Sequence, residues 1–141
     1  MKTSKTGIDL IKKFEGFSAS AYKCSAGFWT IGYGHKMEGE NFTNINMKVA
    51  EQLLIKDLII SELSVVRNIK HHLTQNQFDS LVSFTYNVGG GALQRSTLRQ
   101  KINNKEFDAV EIEFLRWVKI RGITITGLVI RRRMEASLFF S

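Results

Sequence analysis

Three side chains with usable chemistry fall close together near the start of the chain: the carboxyl of Glu15, the thiol of Cys24 and the hydroxyl of Thr30. They sit in the stretch FEGFSASAYKCSAGFWTIGYGH, residues 14–35. A carboxyl group screened from water can serve as a general acid, and a thiol and a hydroxyl facing one gap can hold a water molecule between them. Glu15 closes the apolar stripe of a helix, where the helix dipole disfavours its charge by only about 0.3–1 kcal/mol. A proton-donating role therefore needs the added desolvation of Phe14 or Phe17. Without that, the same residue is a solvated charge at a helix end.

The elements that must position these groups follow from spacing. Ser4 or Thr6 can cap a first helix carrying Ile8, Ile11 and Phe14, and Gly16 is a natural stop. The pattern then switches to aromatic and β-branched residues on either side of Ser25-Ala26-Gly27, which predicts a hairpin. That register sets Tyr22 opposite Thr30 and Cys24 opposite Phe28, with all four on one face. Cys24 and Thr30 become diagonal neighbours, about 7–8 Å apart at the backbone. Trp29, Ile31 and Tyr33 take the opposite face, expected to be core. Residues 36–44 read as a polar loop.

Asn46 can cap a long helix from Met47 whose VAEQLLIKDLIISELSVV run is apolar on most faces, so it is expected to be largely buried. Thr74-Gln75-Asn76-Gln77 has the capping-box pattern and opens a helix through Phe84, which Asn87 and the glycines at 89–91 end. A short helix from Ser96 or Thr97, another over Phe107–Trp117, an irregular stretch over 118–126 and a last helix to Phe139–Phe140 complete the chain. The fold class is α+β, mostly α.

The chain of 141 residues is the length of one domain and is enough for a core without staples. Its net charge of +7 favours a polyanionic partner such as nucleic acid, anionic lipid or an acidic wall polymer, or else a solubilising surface. A recognition helix, zinc spacing and RNA-binding aromatic motifs are all missing, which argues against nucleic acid. No apolar run reaches a membrane span, and the basic N-terminal stretch is interrupted by Asp9, Lys12 and Lys13, unlike an export signal. A single cysteine excludes an internal disulfide, and no metal site or cofactor is expected.

Glu15, Cys24 and Thr30 at this spacing, followed by IGYGH, resemble the active-site signature of the phage-type lysozymes, glycoside hydrolase family 24, which are endolysins. Further similar segments are LIKKFEG (10–16), NQFDSLVSFTYNVGGG (76–91), STLRQKIN (96–103), EFLRW (113–117) and GLVIRRRMEASLF (127–139). Nearly the whole chain is covered, in the family's order. The chain departs from the family at Val118 and Thr126, where Asn and Pro are common, and in having Cys24 where Asp is usual.

The resemblance implies a lysozyme-like fold: one domain over 1–141, with a small β-containing lobe near 15–60 and a helical lobe near 61–141 plus the first helix, joined by a long helix. It implies hydrolysis of the β-1,4 bond between N-acetylmuramic acid and N-acetylglucosamine in peptidoglycan, by a monomer. Glu15 is then the general acid, Cys24 and Thr30 hold the attacking water, and Gly34, Tyr86 and Asn87 line the sugar site. Gly89 is equally a helix terminator and Tyr86 a core aromatic. His35 reads as a structural hydrogen bond or ion pair before a proton shuttle. Arg131, Arg132 and Arg133 read as a grip on anionic wall polymer, or as ion pairs and a solvated helix face.

Several readings stay open at Cys24. A reference thiol with pKa about 8.5 is only about 3% ionised at pH 7. Either a local field lowers its pKa, or Thr30 and polar groups of the wall position the water, or Cys24 is a packed thiol. A lytic transglycosylase, which needs no positioned water, and a catalytically silent basic wall- or membrane-binding protein are the alternatives. Some relatives with this cysteine are held inactive by an N-terminal anchor and extra cysteines; neither feature is seen here, so that regulation is not carried over. The lack of an export signal implies synthesis in the host cytoplasm and passage to the periplasmic wall through a holin pore.

Overall fold

The first helix stops directly after its glutamate. In the computed structural model, which describes residues 1–39 and 43–141, α1 (Lys5–Glu15) buries Leu10 and Ile11 and ends at Gly16. Gly16 has φ +71° and gives its N–H to the Lys12 carbonyl at 2.9 Å. A positive φ of this kind is open to glycine at little cost, so the chain turns away with Glu15 left at the helix tip. Ser4 holds the N-cap position, but its side chain does not cap the helix. Its N–H donates to Asp79 Oδ1 at 3.0 Å and its hydroxyl donates to the same carboxylate. These bonds tie the start of α1 to α3 (Gln75–Val88).

The hairpin has the expected register. Strands β1 (Ser18–Lys23) and β2 (Trp29–Gly32) pair antiparallel with Tyr22 opposite Thr30. The Cys24 N–H donates to the Phe28 carbonyl, and the Gly27 N–H to the Cys24 carbonyl, both at 2.9 Å, closing the turn at 25–27. A third strand, β3 (His35–Lys36), was not expected; it pairs with β2 and sets Lys36 opposite Thr30. The polar loop expected over 36–44 thus begins as strand, and residues 40–42 lie outside the described residues. Ile31 and Tyr33 are buried as expected, but Trp29 is exposed. It lies near the hairpin tip with the Lys23 ammonium 5.4 Å from its ring.

Helix α2 (Met47–Asn68) is capped by Asn46, whose side chain accepts from the Val49 N–H. It lies against the sheet through β2 and β3 and against α3 and α4 (Gly90–Arg95) farther on, so it joins the β region to the helical one. The expectation that it is largely buried is wrong. Ala50, Leu54, Leu58 and Val65 face the core, whereas Ile55, Ile59, Ile60, Leu63 and Val66 are exposed.

Helix α3 (Gln75–Val88) opens with the reciprocal capping box of Thr74 and Gln77 and ends at Gly89, φ +94°. The glycines do not simply terminate it, because α4 (Gly90–Arg95) follows at once. Helix α5 (Thr97–Asn103) is capped by Ser96. The helix expected over 107–117 is shorter: a 3₁₀ turn at Phe107–Ala109 precedes α6 (Val110–Phe114). Val110 and Phe114 point inward as expected, and Trp117 packs edge-on to Phe84 from beyond the helix. The stretch expected to be irregular is a hairpin of β4 (Lys119–Ile120) and β5 (Ile123–Thr124). Arg121 and Gly122 both have positive φ, the signature of a two-residue hairpin turn that β-branched flanks favour. Helix α7 (Thr126–Phe139) then packs along α3. The core gathers Phe78, Phe84, Phe114 and Phe139 with aliphatics from α1 to α7. The fold is mostly helical α+β with a small antiparallel sheet, as expected. Among the described residues no helix is long and apolar enough to cross a membrane.

Candidate active site

The tip of α1, the turn between β2 and β3, the middle of α2 and the end of α3 border a cleft of 340 Å³. Glu15, Gly34, His35, Asp57, Tyr86 and Asn87 are among its lining residues. Four of the six expected site residues are therefore brought together: Glu15, Gly34, Tyr86 and Asn87. Cys24 and Thr30 are not among the lining residues. They stand on the adjoining hairpin, one strand removed, since Thr30 is paired across β2 and β3 with Lys36 at the cleft edge.

Glu15 is held from behind. Its Oε2 accepts from Arg131 Nη1 at 2.7 Å, and Arg131 is almost wholly buried. Arg131 is fixed in turn by Glu135 Oε2 at 3.2 Å and by the Ser83 carbonyl at 3.1 Å. Glu135 also accepts from the Ser83 hydroxyl and pairs through Oε1 with Arg132. Arg131, Arg132 and Glu135 lie within one turn of α7, so i,i+3 and i,i+4 spacing brings them together. Arg131 thus reaches both Glu15 and Glu135, and Arg132 shares Glu135 with it. Such buried pairing is needed because an unpaired charge inside a protein is far costlier than a paired one. Burial pulls the Arg132 guanidinium below its usual value, and Glu135 opposes that. Of the arginine readings, ion pairing holds for Arg131 and Arg132, while Arg133 is exposed.

The free oxygen of Glu15 faces Gly34. A methyl group at position 34 would stand 2.9 Å from Oε1 and 3.6 Å from the Tyr86 hydroxyl, and Gly34 itself has φ +78°. Only glycine leaves both the backbone and the carboxyl oxygen unstrained there. Tyr86 donates its hydroxyl to the Tyr33 carbonyl at 3.1 Å. Burial pushes its phenol well above the usual value, with Glu15 and Asp57 adding to the effect. It is a neutral, fixed wall of the cleft.

Asn87 has its side-chain oxygen on Arg132 Nη2. A guanidinium has donors and no acceptor, so the amide of Asn87 can be oriented only one way, and among the described residues its NH₂ has no hydrogen-bond partner. His35 Nδ1 lies 2.8 Å from Asp57 Oδ2, in line with the hydrogen-bond or ion-pair reading. Asp57, Arg131, Arg132 and Glu135 were missed as site-supporting residues. The RRRME spacing carried a signal for the α7 pairs, whereas nothing local links His35 to Asp57.

On the hairpin, Thr30 is buried and its hydroxyl donates to the Phe28 carbonyl at 3.1 Å. Cys24 is partly exposed and free. Backbone contacts from Phe28 and Ala26 hold its thiol below the usual value against an opposing desolvation, with smaller contributions from the Thr30 hydroxyl and Gly27. Among the described residues no group of acidic, histidine or cysteine side chains could hold a metal ion.

An acid at a helix tip, a glycine pressed against it and a three-stranded sheet beside a long connecting helix define a lysozyme-like architecture. The chain belongs to the phage lysozyme family, whose model matches residues 12–135. It is 44% identical over 144 residues to an endolysin of Bacillus phage B103, covering 100% of this chain and 55% of that protein. The chain thus spans little more than half the length of that relative. It is 37% identical to an endolysin of Acyrthosiphon pisum secondary endosymbiont phage 1, covering 100% of this chain and 99% of that one. Among solved structures, the muramidase domain of SpmX from Asticaccaulis excentricus superposes with a TM-score of 0.93 at 33% identity, covering 99% of this chain and 98% of that one.

Proposed function

We propose that this chain is an endolysin-type muramidase that hydrolyses the β-1,4 bond between N-acetylmuramic acid and N-acetylglucosamine in bacterial peptidoglycan and so lyses the host. The observation that carries this reading is the state of Glu15: one carboxyl oxygen committed to Arg131, the other turned to the cleft beside Gly34. Oε1 is then the oxygen that brings a proton to the glycosidic oxygen as the bond breaks. The Asn87 amide, its oxygen tied to Arg132, donates to a carbonyl or hydroxyl of the sugar. Tyr86 limits the opposite wall. Water activated on the hairpin side by Cys24 and Thr30 attacks the anomeric carbon from the face opposite the acid, giving inversion. The protein acts as a monomer, is made in the host cytoplasm and reaches the periplasmic wall when a holin opens the membrane.

Glu15→Gln tests the acid. It should lower lysis of outer-membrane-permeabilised cells by about 10²–10⁴-fold, the usual contribution of general acid catalysis, and full retained activity overturns the reading. One observation favours a second reading. Because Cys24 and Thr30 are absent from the cleft lining, a lytic transglycosylase, in which the sugar's own 6-hydroxyl attacks, would lose little. Mass spectrometry of the released fragments separates the two: hydrolysis leaves a reducing end, transglycosylation a 1,6-anhydro end.

A further inference from the structure

The exposed side of α2 is the least expected surface of the molecule. Ile55, Ile59, Leu63 and Val66 recur at i, i+4, i+8 and i+11, which places them on one face of a helix. They are 46%, 50%, 56% and 57% exposed. A groove of 590 Å³ runs along this face and is closed on its far side by Met1, Thr3 and Ile8. It is larger than the cleft and lies apart from it, sharing no lining residue with it.

The charges on α2 are divided in an unusual way. Each of its carboxylates is already engaged: Glu51 by Lys12, Asp57 by His35, and Glu62 by the N–H and hydroxyl of Thr3 at 2.7 Å. Its cations Lys48, Lys56 and Arg67 are exposed, and among the described residues none of their side chains is ion-paired. An apolar stripe bordered by unpaired cations, beside carboxylates of which Glu51 is ion-paired to Lys12 and Glu62 is tied down by Thr3, matches a surface that is apolar below and anionic above.

We infer that this face of α2 docks the protein onto membranes containing anionic phospholipid. Ile55, Ile59, Leu63 and Val66 enter the acyl boundary while Lys48, Lys56 and Arg67 meet the headgroup phosphates. This is the pattern of an interfacial helix, with an apolar face and a basic border lying in the membrane plane. A second copy of the chain fits less well, because two such faces would oppose cations to cations.

Co-sedimentation of the full chain with vesicles tests the assignment. Vesicles of mixed phosphatidylethanolamine and phosphatidylglycerol should retain the protein, and phosphatidylcholine vesicles should not. The double variant Ile59→Asp/Leu63→Asp should lower retention by about tenfold or more, given the apolar area it removes. Its thermal midpoint and its lysis of permeabilised cells should match the wild type, since neither residue touches the cleft. Lys48→Gln/Lys56→Gln, which leaves the apolar stripe intact, should also weaken retention and flatten its dependence on salt. Equal retention by both vesicle types overturns the inference, as does a double variant that binds as well as wild type. A concentration-dependent dimer that Ile59→Asp/Leu63→Asp abolishes, with no vesicle binding, assigns the face to a second copy instead.

Discussion

The two sides of the proposed reaction are built differently. The acid side is anchored in the dry interior, where Glu15 is gripped by an arginine that is itself held by Glu135 and the Ser83 carbonyl. The water side is a hairpin tip: Phe28 and Trp29 are exposed there, and Cys24 and Thr30 are kept in relation mainly by backbone contacts of the turn. The acid must meet a leaving oxygen at a defined point, so its support is rigid and deeply buried. In the proposed reaction water is small and mobile, so a short turn with a buried hydroxyl would be enough to shape its site. The contrast predicts that damage to the interior costs stability and catalysis together, whereas damage to the hairpin costs catalysis alone.

The strongest break of that contrast is Glu135→Ala. It leaves two buried guanidiniums without their shared carboxylate and should cost about 3–5 kcal/mol of unfolding free energy, read from urea denaturation. Lysis should fall with it as Glu15 loses its fixed partner. A next, smaller effect belongs to the hairpin. Cys24→Ser should lower activity at neutral pH by about a hundredfold if the thiolate is the base, with an unchanged denaturation midpoint. Cys24→Asp should keep or raise activity at pH 7. The Cys24 thiol is held below its usual value by the turn, so activity rises as pH increases through that lowered value. A carboxylate ionises lower still and should carry the rising limb of the pH profile to more acidic pH. Equal profiles for the serine and aspartate variants would show that Cys24 acts only by packing.

Asn87→Asp sharpens the comparison at the boundary between the two sides. Aspartate still accepts from Arg132, so stability should hold or rise, but it has no amide to give the sugar. KM should rise by up to about tenfold, the worth of one hydrogen bond, with little change in kcat. An unchanged KM would make Asn87 a structural partner of Arg132 only. The smallest effect is expected at the Lys101–Glu106 pair, 3.5 Å apart at the surface. Lys101→Ala should change stability by less than about 1 kcal/mol, a control for charge removal away from the buried set.

Much of the architecture was legible because its signals are local. The Thr74–Gln77 box, the Asn46 cap and Gly16 are rules about neighbouring backbone groups, and each holds. Hairpin register followed from the turn at 25–27, since a turn fixes which residues face each other. Failures came where burial depends on what lies opposite. Composition made α2 look like a buried helix, but apolar content cannot say whether a neighbour covers a given face. The hairpin at 119–124 was visible only as β-branched residues around Arg121-Gly122, too short a pattern to distinguish from irregular chain.

The amino-acid sequence by itself determined the family and the helix-then-hairpin frame, and it singled out Glu15, Cys24 and Thr30 as the proposed acid and its two companions. It could do so because residue types at short spacing constrain chemistry directly. Tertiary structure alone decided that Arg131 supports Glu15, that Arg132 orients Asn87, that His35 meets Asp57, and that the cleft admits Glu15 without Cys24 or Thr30. Those relations join residues up to 116 positions apart. Only the packing of α7 along α3, and of the sheet against α2, brings such distant groups within hydrogen-bonding range.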